Sequence, residues 1–457
     1  MIVKKNITKL FFLFLFFNLL LWTITPTISN INLPLDTIEA LAWGSNLDWG
    51  FNKHPPLSAF AVEFFYIIFK SNDWAYYLLS QIFVAIAFIY VWKFSNEIFE
   101  DKIYSLISIL SLSGIYFYNF TTPEFNVNIS MLPFWALTVY FFWKGINSSK
   151  KIYWILFGIF SALGFLAKYL FIYILVSLLI YFVINFKKYK KIIPNYLLSI
   201  IISLLILIPH FIWLFENNFA TISYGLNRST LYDYNFINHF KNPIIFFIKQ
   251  VVILFPFLIM ISVIIKKFKF KFTKINRKFL FLIFITIVPI FLVSITSILT
   301  GAKIRTMWMT PFYLFFGTLF IEFFRKNIDL KKLKNFYIVF LIFFILSPII
   351  YFCVSIIDKT KRTDYPGKEI SRLVQNKWND NFTNKIKIVV GDEWSAGNLS
   401  YHLESRPTWF NDLKNEKNKI TEDQGVIYVG NPKVLKKICP GVFGKIAPVG
   451  YCMIGKR

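Results

Sequence analysis

The feature that most constrains this chain is a series of apolar windows, each roughly 20 residues long, that recurs over residues 10–357 and then stops. A helix of that length crosses the hydrocarbon core of a bilayer, and its backbone hydrogen bonds are satisfied internally. Composition agrees. Hydrophobic residues make up 56% of the chain, and there are 56 Phe against 18 Gly, which suits lipid-facing bulk better than a water-soluble core.

The windows predict eleven spanning helices, at 10–30, 74–94, 103–120, 127–143, 152–167, 169–186, 192–215, 244–265, 279–300, 306–324 and 336–357. The basic start, with Lys4, Lys5 and Lys9, followed by an apolar run also fits a signal peptide. No cleavage-like site follows, so the run is expected to stay as the first helix. With the N-terminus inside, alternation puts the basic segments 144–151, 187–191, 266–278 and 325–334 on the cytoplasmic side. The segments 31–73, 121–126, 168, 216–243 and 301–305 then face outward. This distribution accounts for the net charge of +26 as an orientation signal and argues against a nucleic-acid partner.

In the first outer segment, residues 38–49 are amphipathic and 57–69 are apolar but short. Both are expected to lie in the membrane interface, where Trp43, Trp49, Tyr66 and Trp74 suit the depth. After residue 358 charge rises and short strand-like runs appear at 385–390 and 425–429, with a possible helix at 394–403 between them. The expectation is two domains: 1–357 in the membrane and 358–457 as a small α/β domain outside. Cys439 and Cys452 in that domain could be bridged or could remain thiols.

Four outward stretches carry chemistry. Asp36 and Glu39 are three residues apart and would share a helix face. The plain alternative is that Asp36 caps that helix. Lys53 and His54 precede Pro55 and Pro56, which fix a turn. Glu124 follows Pro123 in the second outward link, where it could simply complement a helix dipole. Lys168, followed by Tyr169, and the pair Lys303 and Arg305 are cations on the side where cations are disfavoured. Snorkelling to headgroups would explain each alone, but together they suit a phosphate. The chain has no P-loop and no acidic-His cluster of metal type, so no required metal or other cofactor is expected.

At these residues the sequence resembles the polyprenyl-phosphate-dependent glycosyltransferases of the dolichyl-phosphate-mannose protein mannosyltransferase type. It is most similar to bacterial members related to the lipid A aminoarabinose transferase. The resemblance is carried by Pro34-Leu35-Asp36-Thr37-Ile38-Glu39-Ala40-Leu41-Ala42-Trp43-Gly44, by Gly50-Phe51-Asn52-Lys53-His54-Pro55-Pro56-Leu57, by Pro123-Glu124-Phe125-Asn126 and by Lys168-Tyr169. It covers about residues 10–325, and matches the outer domain only through Ser400-Tyr401-His402 and Arg406-Pro407. The resemblance implies a GT-C fold, an inner-membrane location and sugar transfer from a polyprenyl phosphate donor on the periplasmic face. The acceptor would be lipid A or another envelope glycoconjugate. It implies that Asp36 is the catalytic acid residue and that Glu124, which stands where relatives carry an acid, is a second catalytic residue. Glu39, Lys53, His54, Lys168, Tyr169, Lys303 and Arg305 would contact substrate. Rival expectations are a protein O-glycosyltransferase of the same fold and a lipid-linked sugar flippase, although a flippase would need polar groups through helix centres that are almost wholly apolar in this chain.

Overall fold

The structure is a computed structural model that describes residues 6–148, 150–229, 236–266, 276–412, 422–446 and 449–457. The centre of the basic segment 266–278 lies outside the described residues. The membrane part opens with α1 (Ile7–Ser29), α2 (Leu35–Gly44), α3 (Leu57–Phe69), α4 (Asp73–Ile98) and α5 (Lys102–Ser111). It continues with α6 (Val127–Asn147), α7 (Lys151–Ala167), α8 (Ile172–Ile184), the single turn α9 (Phe186–Tyr189) and α10 (Ile193–Glu216). Then follow α11 (Ala220–Ser229), α12 (Asn238–Ile264), α13 (Arg277–Thr300), α14 (Phe316–Phe324) and α15 (Leu333–Ile357).

All eleven expected spans are helical, but they are not alike. Among the described residues, seven helices are long and apolar enough to cross a membrane alone, and the chain is a multi-pass membrane protein. The tenth span is broken, because a 3-10 stretch at Thr306–Tyr313 meets the following helix at 56°. Pro311 within that stretch removes a donor and favours the break. The third, fifth and sixth spans are shorter helices. The fifth and sixth remain separate: Lys168 is extended between them, and Phe171 folds back onto Gly164, where a Cβ would lie 2.2 Å from its ring.

Helix starts are set by short polar side chains that accept otherwise orphaned N–H groups. Asp101 caps α5 through the N–H of Ile103, Asn126 caps α6 through Asn128 and Ile129, and Asn276 caps α13 through Phe279. Small residues let backbones close up. A Cβ on Gly317 would lie 2.0 Å from the Ser108 carbonyl, which sets the approach of α14 to α5. Between these contacts the bundle is filled by aromatic rings. Phe281 stacks on Phe142 at 6.0 Å and meets Trp143 at 4.8 Å and Tyr181 at 5.0 Å. Exposed Leu204, Leu205, Val251, Val252, Ile345 and Ile349 leave an apolar outer surface suited to lipid.

The remaining chain forms α16 (Gly367–Asn379), β1 (Ile388–Val390), α17 (Ser395–His402), β2 (Thr408–Phe410), β3 (Val426–Gly430), α18 (Pro432–Ile438), β4 (Val442–Ile446) and β5 (Val449–Ile454). The sheet order is β2-β1-β3-β5-β4. β1 pairs in parallel with β2 and β3, and β5 is antiparallel to β3 and β4. The expected strand–helix–strand core is therefore present, with three further short strands around it. Cys439 and Cys452 are bridged, which ties the end of α18 to β5.

This small domain docks on α2. Gly397 of α17 brings the two helices together, since a Cβ there would meet Ala42 and Ile38 at 3.1 and 3.2 Å. Arg406 donates to Glu63 Oε2 at 2.6 Å and to the Leu41 carbonyl at 2.7 Å. Asn32 donates to Asn398 Oδ1 at 2.8 Å, and His402 Nε2 lies 3.1 Å from Asn32 Oδ1. Tyr401 donates to Asp73 Oδ1 at 2.7 Å. The weakly matching residues of the outer domain are thus the ones that hold it in place.

Candidate active site

Asp36 does not cap α2. Pro34 occupies the cap position and Asp36 falls in the first turn, where its charge complements the helix N-terminus. Its backbone N–H donates to Glu124 Oε1 at 3.1 Å, and the Thr37 hydroxyl donates to the Phe125 carbonyl at 3.1 Å. The two acidic segments, 88 residues apart, are therefore pinned to each other. Capping of α6 falls to Asn126, so Glu124 is left to face Asp36.

A cavity of about 510 Å³ opens beside this junction. It is lined by Leu35, Asp36, Glu39, Lys53, Tyr224, Asn227, Arg228, Arg305 and Arg362. Four cations thus surround two carboxylates. Burial raises the Asp36 carboxyl above the ordinary aspartate range, while Arg228, Lys168, Lys53 and Arg362 pull it back. Burial, and then the Asp36 charge, push Glu124 up to about 8, against hydrogen bonds from the Asp36 backbone and the Asn126 side chain. Glu39 is raised by burial against the pull of Lys53. Lys53 lies 2.9 Å from Glu39 and 3.3 Å from Glu393, and those carboxylates outweigh its burial and keep it firmly charged.

The other expected residues are distributed around this cavity. Lys168 is buried, donates to Asn128 Oδ1 at 2.6 Å and sits 5.2 Å over the Trp308 ring. Burial lowers its ammonium to about 7 although Asp36 opposes the shift. His54 is packed edge-on to Trp43 and Tyr224, and burial followed by the nearby cations keeps it neutral. The Tyr169 hydroxyl is 2.8 Å from His210 Nε2, whose other nitrogen is 2.5 Å from the Trp49 carbonyl. This chain of contacts locks α10 onto the turn that precedes Lys53. Lys303 is exposed, and its backbone N–H donates to the Ser229 carbonyl at 3.0 Å, joining its segment to α11. Of the expected set, Asp36, Glu39, Lys53 and Arg305 line the cavity. Lys168, Tyr169, His54 and Lys303 support its walls.

Tyr224, Asn227, Arg228, Arg362 and Glu393 were not anticipated. Arg228 could have been found by the criterion that singled out Arg305, because it too is a cation in an outward segment. Arg362 and Glu393 carry no such signal, since charge is common throughout the segment after residue 358. Among the described residues, no group of three or more His, Cys, Asp or Glu gathers at metal-binding distance.

An acid pair thus stands at a helix start, walled by cations at one end of an aromatic-filled bundle. Residues 53–213 match the dolichyl-phosphate-mannose-protein mannosyltransferase family. Over the whole chain the fold is that of ArnT from Cupriavidus metallidurans. The crystal structure of that protein bound to undecaprenyl phosphate superposes with a TM-score of 0.65 at 11% identity, covering 97% of this chain and 98% of the other. Its apo structure gives the same TM-score and coverage at 10% identity. No curated protein matches in sequence. The family match over residues 53–213 and the fold over nearly the whole chain therefore agree on a GT-C architecture.

Proposed function

We propose that this protein transfers a sugar from a polyprenyl-phosphate donor to an envelope acceptor, lipid A or another glycoconjugate, at the periplasmic face of the bacterial inner membrane. The observation that carries the reading is the cavity that sets Asp36 among Lys53, Arg228, Arg305 and Arg362. The ligand of the crystallised ArnT, undecaprenyl phosphate, has the charge this cavity would neutralise.

In this reading the cations hold the donor phosphate and stabilise the charge that grows on it. The acceptor oxygen attacks the anomeric carbon from the opposite side, and the anomeric configuration inverts. The carbon–oxygen bond to the phosphate breaks, and its electron pair leaves with the polyprenyl phosphate. A hydroxyl acceptor gives its proton to Asp36, whereas an ionised phosphate acceptor needs only orientation. Asp36, with cations around it, is the ionised member of the acid pair. Glu124, raised to about 8 by burial and by the Asp36 charge, keeps its proton near neutral pH and shapes the loop.

Residues 1–357 form the catalytic membrane domain and 358–457 a periplasmic domain. Basic residues at the bundle end away from the cavity support that orientation. The Cys439–Cys452 bridge suits an oxidising compartment. Asp36→Asn tests the assignment: transfer measured by mass spectrometry of lipid A and surface glycans should fall by about 10²–10⁴-fold, with normal protein in the membrane. Retained transfer would remove Asp36 from the catalytic role. The pH profile adds a second check. The active carboxylate is lost as pH falls through its raised pKa, so the acid limb should lie above the ordinary aspartate range.

A further inference from the structure

Lys53 is held by two carboxylates of different origin. Glu39 belongs to α2, whereas Glu393 comes from the turn between β1 and α17. That turn is well fixed. Asp392 Oδ1 accepts the N–H groups of Trp394 at 2.9 Å and Ser395 at 2.6 Å. Trp394 in turn lies 5.8 Å beneath the Arg362 guanidinium. One turn of the outer domain therefore touches two of the cavity's four cations. Glu39 alone, at 2.9 Å, fixes the Lys53 side chain and leaves ammonium protons free for a ligand. A second carboxylate adds little hold, and its main effect is to subtract charge beside the cavity.

We propose that Glu393 is a positioning and charge-setting residue that weakens the site's grip on a dianionic phosphate monoester relative to a monoanionic phosphodiester. The proposal rests on the sugar-transfer reading, because that reaction converts one into the other. The donor phosphate is a diester with one negative charge. The released polyprenyl phosphate is a monoester with about −1.5 to −2 charges at neutral pH. A cavity with four cations and two carboxylates holds the product more tightly than the donor by Coulomb attraction alone. A carboxylate next to Lys53 repels the product more than the donor and so favours turnover. Because Glu393 belongs to the outer domain, docking of that domain sets the balance.

The test uses the full-length protein in lipid nanodiscs. Binding is measured for undecaprenyl phosphate and for its one-charge methyl diester, with wild type, Glu393→Gln and Glu393→Asp. Gln keeps an oxygen for Lys53 and removes the charge. Glu393→Gln should bind the monoester about tenfold tighter and the diester about threefold tighter, with Glu393→Asp close to wild type. The monoester gain should shrink in high salt. Unchanged or weaker monoester binding by Glu393→Gln, or equal gains for both lipids, would overturn the proposal. Failure of the wild type to bind either lipid would instead overturn the polyprenyl-phosphate reading, and needs no variant to be seen.

Discussion

Cations gather at both ends of the helix bundle, and the two ends use them differently. At the end away from the cavity Lys144 pairs with Glu97 at 2.9 Å, but three others reach backbone carbonyls. Lys278 donates to the Ile98 carbonyl at 2.8 Å, Lys332 to the Ile265 carbonyl at 3.1 Å, and Arg277 to the Ile146 carbonyl at 3.5 Å. Those carbonyls belong to the last turns of α4 and α6 and the C-cap of α12, the negative ends of helix dipoles. At the cavity end the cations meet carboxylates, and they come from segments far apart in the chain. A lysine that closes a helix end has its partner built in. Lys53, Arg228, Arg305 and Arg362 share a space that a ligand can enter. The residue types are the same, and the difference lies in whether the partner is a fixed backbone group or a space open to a ligand.

The contrast can be broken first at the acid pair. If Glu124 is the protonated member, Glu124→Gln should keep transfer within about threefold of wild type. Glu124→Ala, which loses the acceptor for the Asp36 N–H, should lose about 100-fold. Equal large losses in both would mean that Glu124 works as an anion. The next largest effect concerns docking. Arg406→Ala strands Glu63 and the Leu41 carbonyl, and should cost about 3 kcal/mol of outer-domain stability. Limited proteolysis of residues 358–457 reads this loss. Arg406→Lys should not restore it, because a single ammonium cannot reach Glu63, Leu41 and Ser400 together.

A smaller effect follows from His402. Burial lowers its imidazole to about 4, so the unfolded form binds a proton more readily between about 6.5 and 4. The stability it contributes is complete above the unfolded value and is lost as pH falls toward about 4. Docking should weaken over that window by at most about 2–3 kcal/mol, and His402→Gln should flatten the dependence. The smallest effect belongs to the opposite end. Lys278→Ala should lower thermal stability by less than about 1 kcal/mol and leave transfer unchanged. A loss of transfer there would erase the distinction between the two ends.

The sequence reveals most of the membrane fold, because hydropathy is a local property and eleven runs of it survive reading by eye. It does not reveal that Thr306–Tyr313 would break away at 56°, since both halves are apolar. In the outer domain β1, α17 and β3 stand out by pattern, whereas β2 has three residues and no alternation long enough to notice. The site divides in the same way. Asp36, Glu39 and Lys53 sit in one segment with a family pattern, and they come together as neighbours do. Arg228 lies on a helix whose sequence, ATISYGLNRS, has little apolar character. Glu393 and Arg362 reach the cavity only through docking of α17 on α2, a contact that no local pattern encodes. His210, alone in an apolar helix, gives no hint from its neighbours that it joins Tyr169 to Trp49.

The clamp of Arg406 on Leu41 joins residues 365 positions apart, and this has a consequence for biogenesis. The helix that carries Asp36 is made long before the segment that covers it. Until residues 362–406 are made and docked, Lys53 lacks Glu393 and the cavity lacks Arg362. A chain that stops before residue 362 has neither of them. Assembly of the pocket is thus a late event in the making of the chain, set by docking of α17 on α2 rather than by insertion of the helices.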